Sequence, residues 1–161
     1  MEAALRAKGI TDLATLARLP IEKLRQLLGG VLRERPIGEL AEVLRALPTL
    51  TLRAEAPHTA LAPGEESVVK VHMEATQRGH RRHAFAPRFP KPKLAGWWLV
   101  MGEADELFAL KRIHLDRGAL TSELHFAAPD EPGEYLYSVR LVSDSYIGLD
   151  GEVQVTVVVS G

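Results

Sequence analysis

The sequence predicts an α+β chain: a small N-terminal helix-loop-helix bundle over residues 1–48, then a seven-stranded antiparallel β-sandwich of immunoglobulin or fibronectin type III style over residues 49–161. Three observations carry this. Before Pro48 apolar residues recur at helical spacing, and from Thr49 the period falls to two. Seven short alternating runs then follow, bounded by turns such as Ala62-Pro63-Gly64 and 129–133. Finally, Gly133-x-Tyr135-x-Tyr137 has the spacing of a tyrosine corner, with Tyr137 where an antibody domain places its second cysteine.

In chain order, Ala3, Ala4, Leu5 and Ala7 predict a short helix that Gly9 stops by adopting positive φ. Thr11 is expected to cap the next helix, with Asp12 in its first turn and Leu13, Leu16 and Ala17 inward. Pro20 opens a third helix with Ile21, Leu24, Leu27 and Leu28 as its buried stripe, ended by Gly29-Gly30. Pro36 opens a fourth with Ile37, Leu40, Val43, Leu44 and Leu47 inward, terminated at Pro48. Helices this short persist only when packed. The Gly9-Ile10 step also suits a helix-hairpin-helix contact to phosphate, or simply a capping glycine beside a core isoleucine.

In the strands, Leu50, Leu52 and Ala54 alternate with polar residues, as do Val69, Val71 and Met73, and Leu120, Leu124 and Phe126. Tyr135, Tyr137, Val139 and Leu141 share one face, as do Val153, Val155, Val157 and Val159. The Trp97 strand and a strand over 107–113 complete the set. Alternation lets only one of Trp97 and Trp98 be central; the other belongs on the outer face or beneath the basic arm.

The chain has 161 residues and a formal net charge of −1, but the charge is uneven. Residues 78–93 hold Arg78, Arg81, Arg82, Arg88, Lys91 and Lys93 and no acid, whereas the following part is acidic. Such asymmetry points to a polyanion or an acidic protein as partner of one face. With no cysteine there is neither a disulfide framework nor a thiolate metal site. No apolar run reaches membrane-spanning length, and the N-terminus lacks a signal-peptide core, so a soluble intracellular protein without membrane insertion is expected.

The connection 77–95 is the strongest functional signal, because structureless loops of that length commonly bind something. Pro87, Pro90 and Pro92 favour an extended path, and Phe85 and Phe89 interleave with the basic residues, a mixture suited to single-stranded RNA. The alternative is an arm folded back with its phenylalanines pinned to the sandwich. His80-x-x-His83 lacks a third ligand and reads as solvated loop histidines rather than a metal site. Asp105, Glu106 and Asp116 read as charges of an exposed hairpin. Ser143, Asp144 and Ser145 lack a nucleophile elbow; Asp144 is expected to form a local Asx turn, with Gly148 supplying positive φ. No phosphate-binding loop occurs, and neither a cofactor nor catalysis is expected.

Phe89-Pro90-Lys91-Pro92-Lys93, Gly96-Trp97-Trp98, Ala109-Leu110-Lys111-Arg112, Ala128-Pro129 with Pro132-Gly133, and the run Ser143-Asp144-Ser145-Tyr146-Ile147-Gly148-Leu149-Asp150 occur in an order that resembles one family. The chain is similar to the C-terminal part of a Sec-sixty-three (Brl) unit, its last helix-loop-helix portion followed by a fibronectin type III-like sandwich. Such units end each cassette of large DExH RNA helicases, and a shorter version occurs in the translocon J-protein of the endoplasmic reticulum. Residues 87–91 and 109–112 look most similar to the signal-cointegrator branch, while Gly151 departs from a frequent glutamine. Met1 falls partway through the helical part of the unit, as in an excised piece or an incomplete gene.

The resemblance implies an ATP-driven RNA helicase parent whose motor motifs lie outside these residues. The module itself would brace the helicase core and dock protein partners, in nucleus or cytoplasm. A single-stranded RNA-binding module or a cytosolic translocon domain are the other readings. Trp97, Trp98, Tyr135, Tyr137, Asp144, Tyr146, Gly148 and Asp150 would be signature residues with mainly structural roles; Arg78, Arg81, Arg82, Arg88, Phe89, Lys91 and Lys93 would meet RNA or a partner.

Overall fold

A computed structural model describes residues 2–76, 83–84, 90–115 and 118–161. They form four helices followed by seven strands, in two compact units. The first unit contains Met1–Thr49, Gln77–Leu94 and Tyr146–Leu149; the second contains Leu50–Thr76, Ala95–Ser145 and Asp150–Gly161.

In the first unit α1 (Glu2–Arg6), α2 (Leu13–Ala17), α3 (Ile21–Leu28) and α4 (Glu34–Arg45) pack around Ile10, Leu16, Leu24, Leu28, Ile37, Ala41 and Leu44. Gly9 takes φ +74 after α1, the left-handed stop that its sequence position predicted. The cap of α2 differs from expectation. Asp12, not Thr11, is the N-cap, and its carboxylate accepts from the Thr15 N–H at 2.7 Å and from the Thr15 hydroxyl at 3.0 Å. The backbone N–H bond is the main reason the Asp12 carboxyl sits below its usual range. Asp outcompetes Thr here because Thr15 can return a second donor to a two-oxygen acceptor. Pro20 is the N-cap residue of α3 and Pro36 lies inside the first turn of α4, each one or two positions from where the sequence placed it.

The second unit holds β1 (Thr49–Glu55, of which Thr49 is counted with the helices), β2 (Glu66–Thr76), β3 (Trp97–Glu103), β4 (Glu106–Ile113), β5 (Ala119–Ala127), β6 (Gly133–Ser143) and β7 (Gly151–Val159). They make a three-stranded sheet, β1-β2-β5, and a four-stranded sheet, β4-β3-β6-β7. The pairings β2–β5, β3–β4, β3–β6 and β6–β7 are all antiparallel.

The period-two pattern supplies the core directly. Val69, Val71 and Met73 of β2 and Leu124 and Phe126 of β5 are buried, as are Trp97, Leu99 and Met101 of β3, Tyr137, Val139 and Leu141 of β6, and Val155, Val157 and Val159 of β7. Phe126 meets Tyr137 edge-on at 5.9 Å between ring centroids, so the inner faces of the two sheets pack on each other. Each such side chain contributes about 1.5–3 kcal/mol through its burial. Trp97 is the inner indole and Trp98 the outer one, over whose ring the Arg112 guanidinium stands at 5.3 Å.

Candidate functional site

The arm that sequence reasoning singled out lies largely outside the described residues, namely Arg78, Arg81, Arg82, Arg88 and Phe89, and with them His80, Phe85, Pro87 and Asp116 of the wider readings. Its two ends are described. The Ala84 N–H donates to the Lys93 carbonyl at 2.8 Å, and His83 bridges Leu94 in antiparallel fashion. This small ladder sets Lys93 and Leu94 beside Ala84 and His83. Lys91 is exposed and Lys93 half-buried. Among the described residues no group of three or more His, Asp or Glu could hold a metal ion.

The signature residues converge elsewhere. β3 and β6 run antiparallel with Trp97 opposite Ser143, which sets Gly96, just before β3, beside Asp144, just after β6. The two residues bond reciprocally. Asp144 Oδ1 accepts from the Gly96 N–H at 3.0 Å, and the Asp144 N–H donates to the Gly96 carbonyl at 3.0 Å. Asp144 Oδ2 accepts from Arg112 Nη2 at 2.8 Å, and the same guanidinium covers Trp98. The carboxylate is only 13% exposed, so these charge-assisted bonds operate largely out of water. Glycine is required at position 96: a Cβ there would stand 2.6 Å from Asp144 Oδ2 and 3.1 Å from Arg112 Nη2.

Beyond the local turn expected at Asp144, its carboxylate also reaches residues far along the chain. The neighbouring Ser145 hydroxyl donates to Asp144 Oδ1 at 2.5 Å, donors from just before β3 and from β4 reach the same carboxylate, and Ser143 Oγ accepts from the Ser145 N–H at 3.2 Å. Neither Gly96 nor Arg112 was singled out as a partner of Asp144, because sequence spacing carries no record of contacts 48 and 32 residues apart. The remaining signature residues act on backbone. Asp150 Oδ1 accepts from the Ser143 N–H at 2.8 Å and closes the stem of the loop between β6 and β7. Gly148 takes φ +83, and a Cβ there would collide with the Asp12 side chain. Tyr146 is half-buried within the same loop.

At the other end of β6 the Tyr135 hydroxyl donates to the Glu131 carbonyl at 2.8 Å, the bond that defines a tyrosine corner. Tyr137 is 1% exposed, between Phe108 at 4.9 Å and Phe126, and its buried hydroxyl has no hydrogen-bond partner among the described residues. Burial, then the nearby Glu103, Tyr135 and Glu106 charges, raise its ionisation above the usual value of 10.0. On the outer face Glu152 is held below its usual range by the Ser138 hydroxyl first and Arg140 second. No helix among the described residues is long and apolar enough to cross a membrane.

The Sec63 Brl domain profile matches residues 5–156. Activating signal cointegrator 1 complex subunit 3 of Gallus gallus is 36% identical over 146 residues, covering 87% of this chain and 7% of the relative. The DExH-box ATP-dependent RNA helicase DExH13 of Arabidopsis thaliana is 34% identical over 153 residues, covering 92% of this chain and again 7% of the relative. The chain thus spans less than a tenth of the length of these relatives. Among solved structures, the ASH / PapD-like domain of human CEP192 (PapD-like domain 7) aligns with 70% of this chain and 87% of its own at 13% identity and a TM-score of 0.35, too distant to carry an argument.

Proposed function

This chain belongs to the Sec63 Brl domain family, and on that premise we propose that it is a non-catalytic module of a large DExH RNA helicase, bracing the helicase core and docking protein partners inside the cell. One observation carries the reading. The polar signature residues are spent on holding strands together: Asp144 on Gly96 and Arg112, Tyr135 on Glu131, Asp150 on Ser143. They do not converge on a space where a substrate could react. The second unit is read as an immunoglobulin or fibronectin type III-like sandwich. Its three-plus-four strand order and its tyrosine corner support that class. Residues 1–48 are read as the helix-loop-helix partner of this sandwich.

Calorimetry tests the reading. The isolated chain should give no heat with ATP and no turnover, and a Kd for ATP of about 1 mM or tighter would overturn it. A second reading, single-stranded RNA binding, is favoured by the acid-free basic run of 78–93, with Lys91 exposed and Lys93 at the paired end of the run. A labelled oligoribonucleotide titrated at about 50 and 200 mM salt separates the two. RNA binding through the arm requires steep salt dependence and loss of affinity when Arg81, Arg82, Arg88 and Lys91 are changed to Ala. Flat or absent binding leaves the docking role alone.

A further inference from the structure

The outer faces of the two sheets differ in composition. Val68 apart, most outward positions of β1-β2-β5 are polar, among them Arg53 and Glu55, Lys70 and His72, Thr121 and Glu123, with His72 Nδ1 2.9 Å from Thr121 Oγ1 and Nε2 3.3 Å from Glu55. That is the usual solvated side of an antiparallel sheet. The outer face of β4-β3-β6-β7 breaks the rule. Leu107 and Leu110 on β4, Leu136 on β6 and Val158 on β7 are exposed by 57%, 54%, 50% and 43%. They are not scattered. Leu110 stands opposite Val100, Leu107 opposite Gly102, and Gly102 opposite Ser138, two residues along β6 from Leu136. Several large apolar side chains on one exposed sheet face point to an interaction site, whereas single exposed leucines do not.

The end of the face that holds Leu107, Leu136 and Val158 is bounded by the turns after β3 and before β6. Segments 101–108 and 127–136, which form it, contain Glu103, Asp105, Glu106, Asp130, Glu131 and Glu134 and no lysine or arginine. Arg140, farther along β6 on the same face, is bonded to Glu152 at 3.2 Å. A partner's lysines or arginines find complementary charge here, and a polyanion is repelled.

We infer that this end of the outer β4-β3-β6-β7 face docks a protein segment presenting aliphatic side chains flanked by lysine or arginine. The inference rests on the docking reading and gives it a face and a partner chemistry. Amide NMR of the whole chain tests it. The titrant is a short synthetic peptide alternating leucine with lysine, and the control carries glutamate for lysine. The lysine peptide should shift amides around Leu107, Leu110, Leu136 and Val158 and lose affinity as salt rises. Leu107→Ser with Leu136→Ser, both surface changes, should weaken it about tenfold. Glu106→Gln with Glu134→Gln should weaken it several-fold and flatten the salt dependence. Equal binding of the glutamate peptide, no shift with either peptide, shifts from an oligoribonucleotide on this face, or concentration-dependent shifts without peptide (a second copy covering the face) would each overturn it. Shifts on the β1-β2-β5 face would also remove this assignment while leaving the docking reading standing; that reading falls on the ATP titration instead.

Discussion

At its first residues β6 is held by uncharged groups: the Tyr135 hydroxyl on the Glu131 carbonyl, and the Tyr135 and Tyr137 rings stacked 6.4 Å apart. Just beyond its last residue it is held by a carboxylate shared between the start of β3 and the side of β4. The first end relies on volume and burial and tolerates a buried hydroxyl that has no partner among the described residues. The second relies on direction, because a carboxylate that accepts from the Gly96 N–H and the Arg112 guanidinium, besides its neighbour Ser145, fits a single strand register. A shift of one residue would turn Trp98 and its Arg112 inward and Trp97 outward.

The largest effects should not distinguish the two ends. Trp97→Ala beside the Asp144 clasp and Tyr137→Ala at the corner should each cost about 3–5 kcal/mol in urea unfolding. Losses under about 1 kcal/mol at either would mean that end is not packed as described. The ends separate at the next level. Asp144→Asn should cost about 1.5–3 kcal/mol, the range for hydrogen bonds to a charged group. Gly96→Ala should remove the same contacts by steric means, so the double variant should cost clearly less than the sum of the singles. Full additivity would show that Gly96 and Asp144 do not act together.

Two tyrosines two positions apart sharpen the contrast. Tyr135→Phe should lose about 0.5–1.5 kcal/mol with its hydrogen bond. Tyr137→Phe removes a hydroxyl that has no partner among the described residues, so stability should hold or rise slightly. The sign with pH follows from ionisation in the folded chain being raised above 10.0. The neutral phenol's contribution is complete below pH 10 and is lost as pH climbs through the higher folded value. Alkaline unfolding should therefore be shallower in Tyr137→Phe than in the parent, and an unchanged alkaline slope would exclude Tyr137 as its source. Trp98→Ala, half-buried and covered by Arg112, should cost clearly less than Trp97→Ala, losing about 0.5–1 kcal/mol of cation–π contact together with its partial burial.

Residue periodicity made the strands and the inner faces legible, because burial on one side of a sheet leaves its mark at every second position, as from Val155 to Val159. The tyrosine corner was legible because its hydrogen bond is local, spanning four residues. Asp144 was read only in part for the complementary reason: the Ser145 hydroxyl is a local partner, whereas Gly96 and Arg112 lie 48 and 32 residues away. At α2 two adjacent residues, Thr11 and Asp12, were both good caps, and only the return bond from Thr15 decided between them. The patch of Leu107, Leu110 and Leu136 was not read from the sequence, although the shared face of Tyr135, Tyr137 and Val139 already set Leu136 on the opposite side. Assigning parity from Trp97 and Met101 across the β3–β4 pairing would have found Leu110 on the outside.

The clasp between Gly96 and Asp144 also bears on how the molecule comes into being. Its halves are 48 residues apart, and β2 waits similarly for β5. A ribosome that has delivered β3 has not yet delivered the strand that Trp97, Leu99 and Met101 need. Until Asp144 emerges, those side chains and the unpaired edge of β3 stay available to other chains. Refolding should accordingly be slow for the molecule's size, in the millisecond-to-second range typical of non-local β topologies.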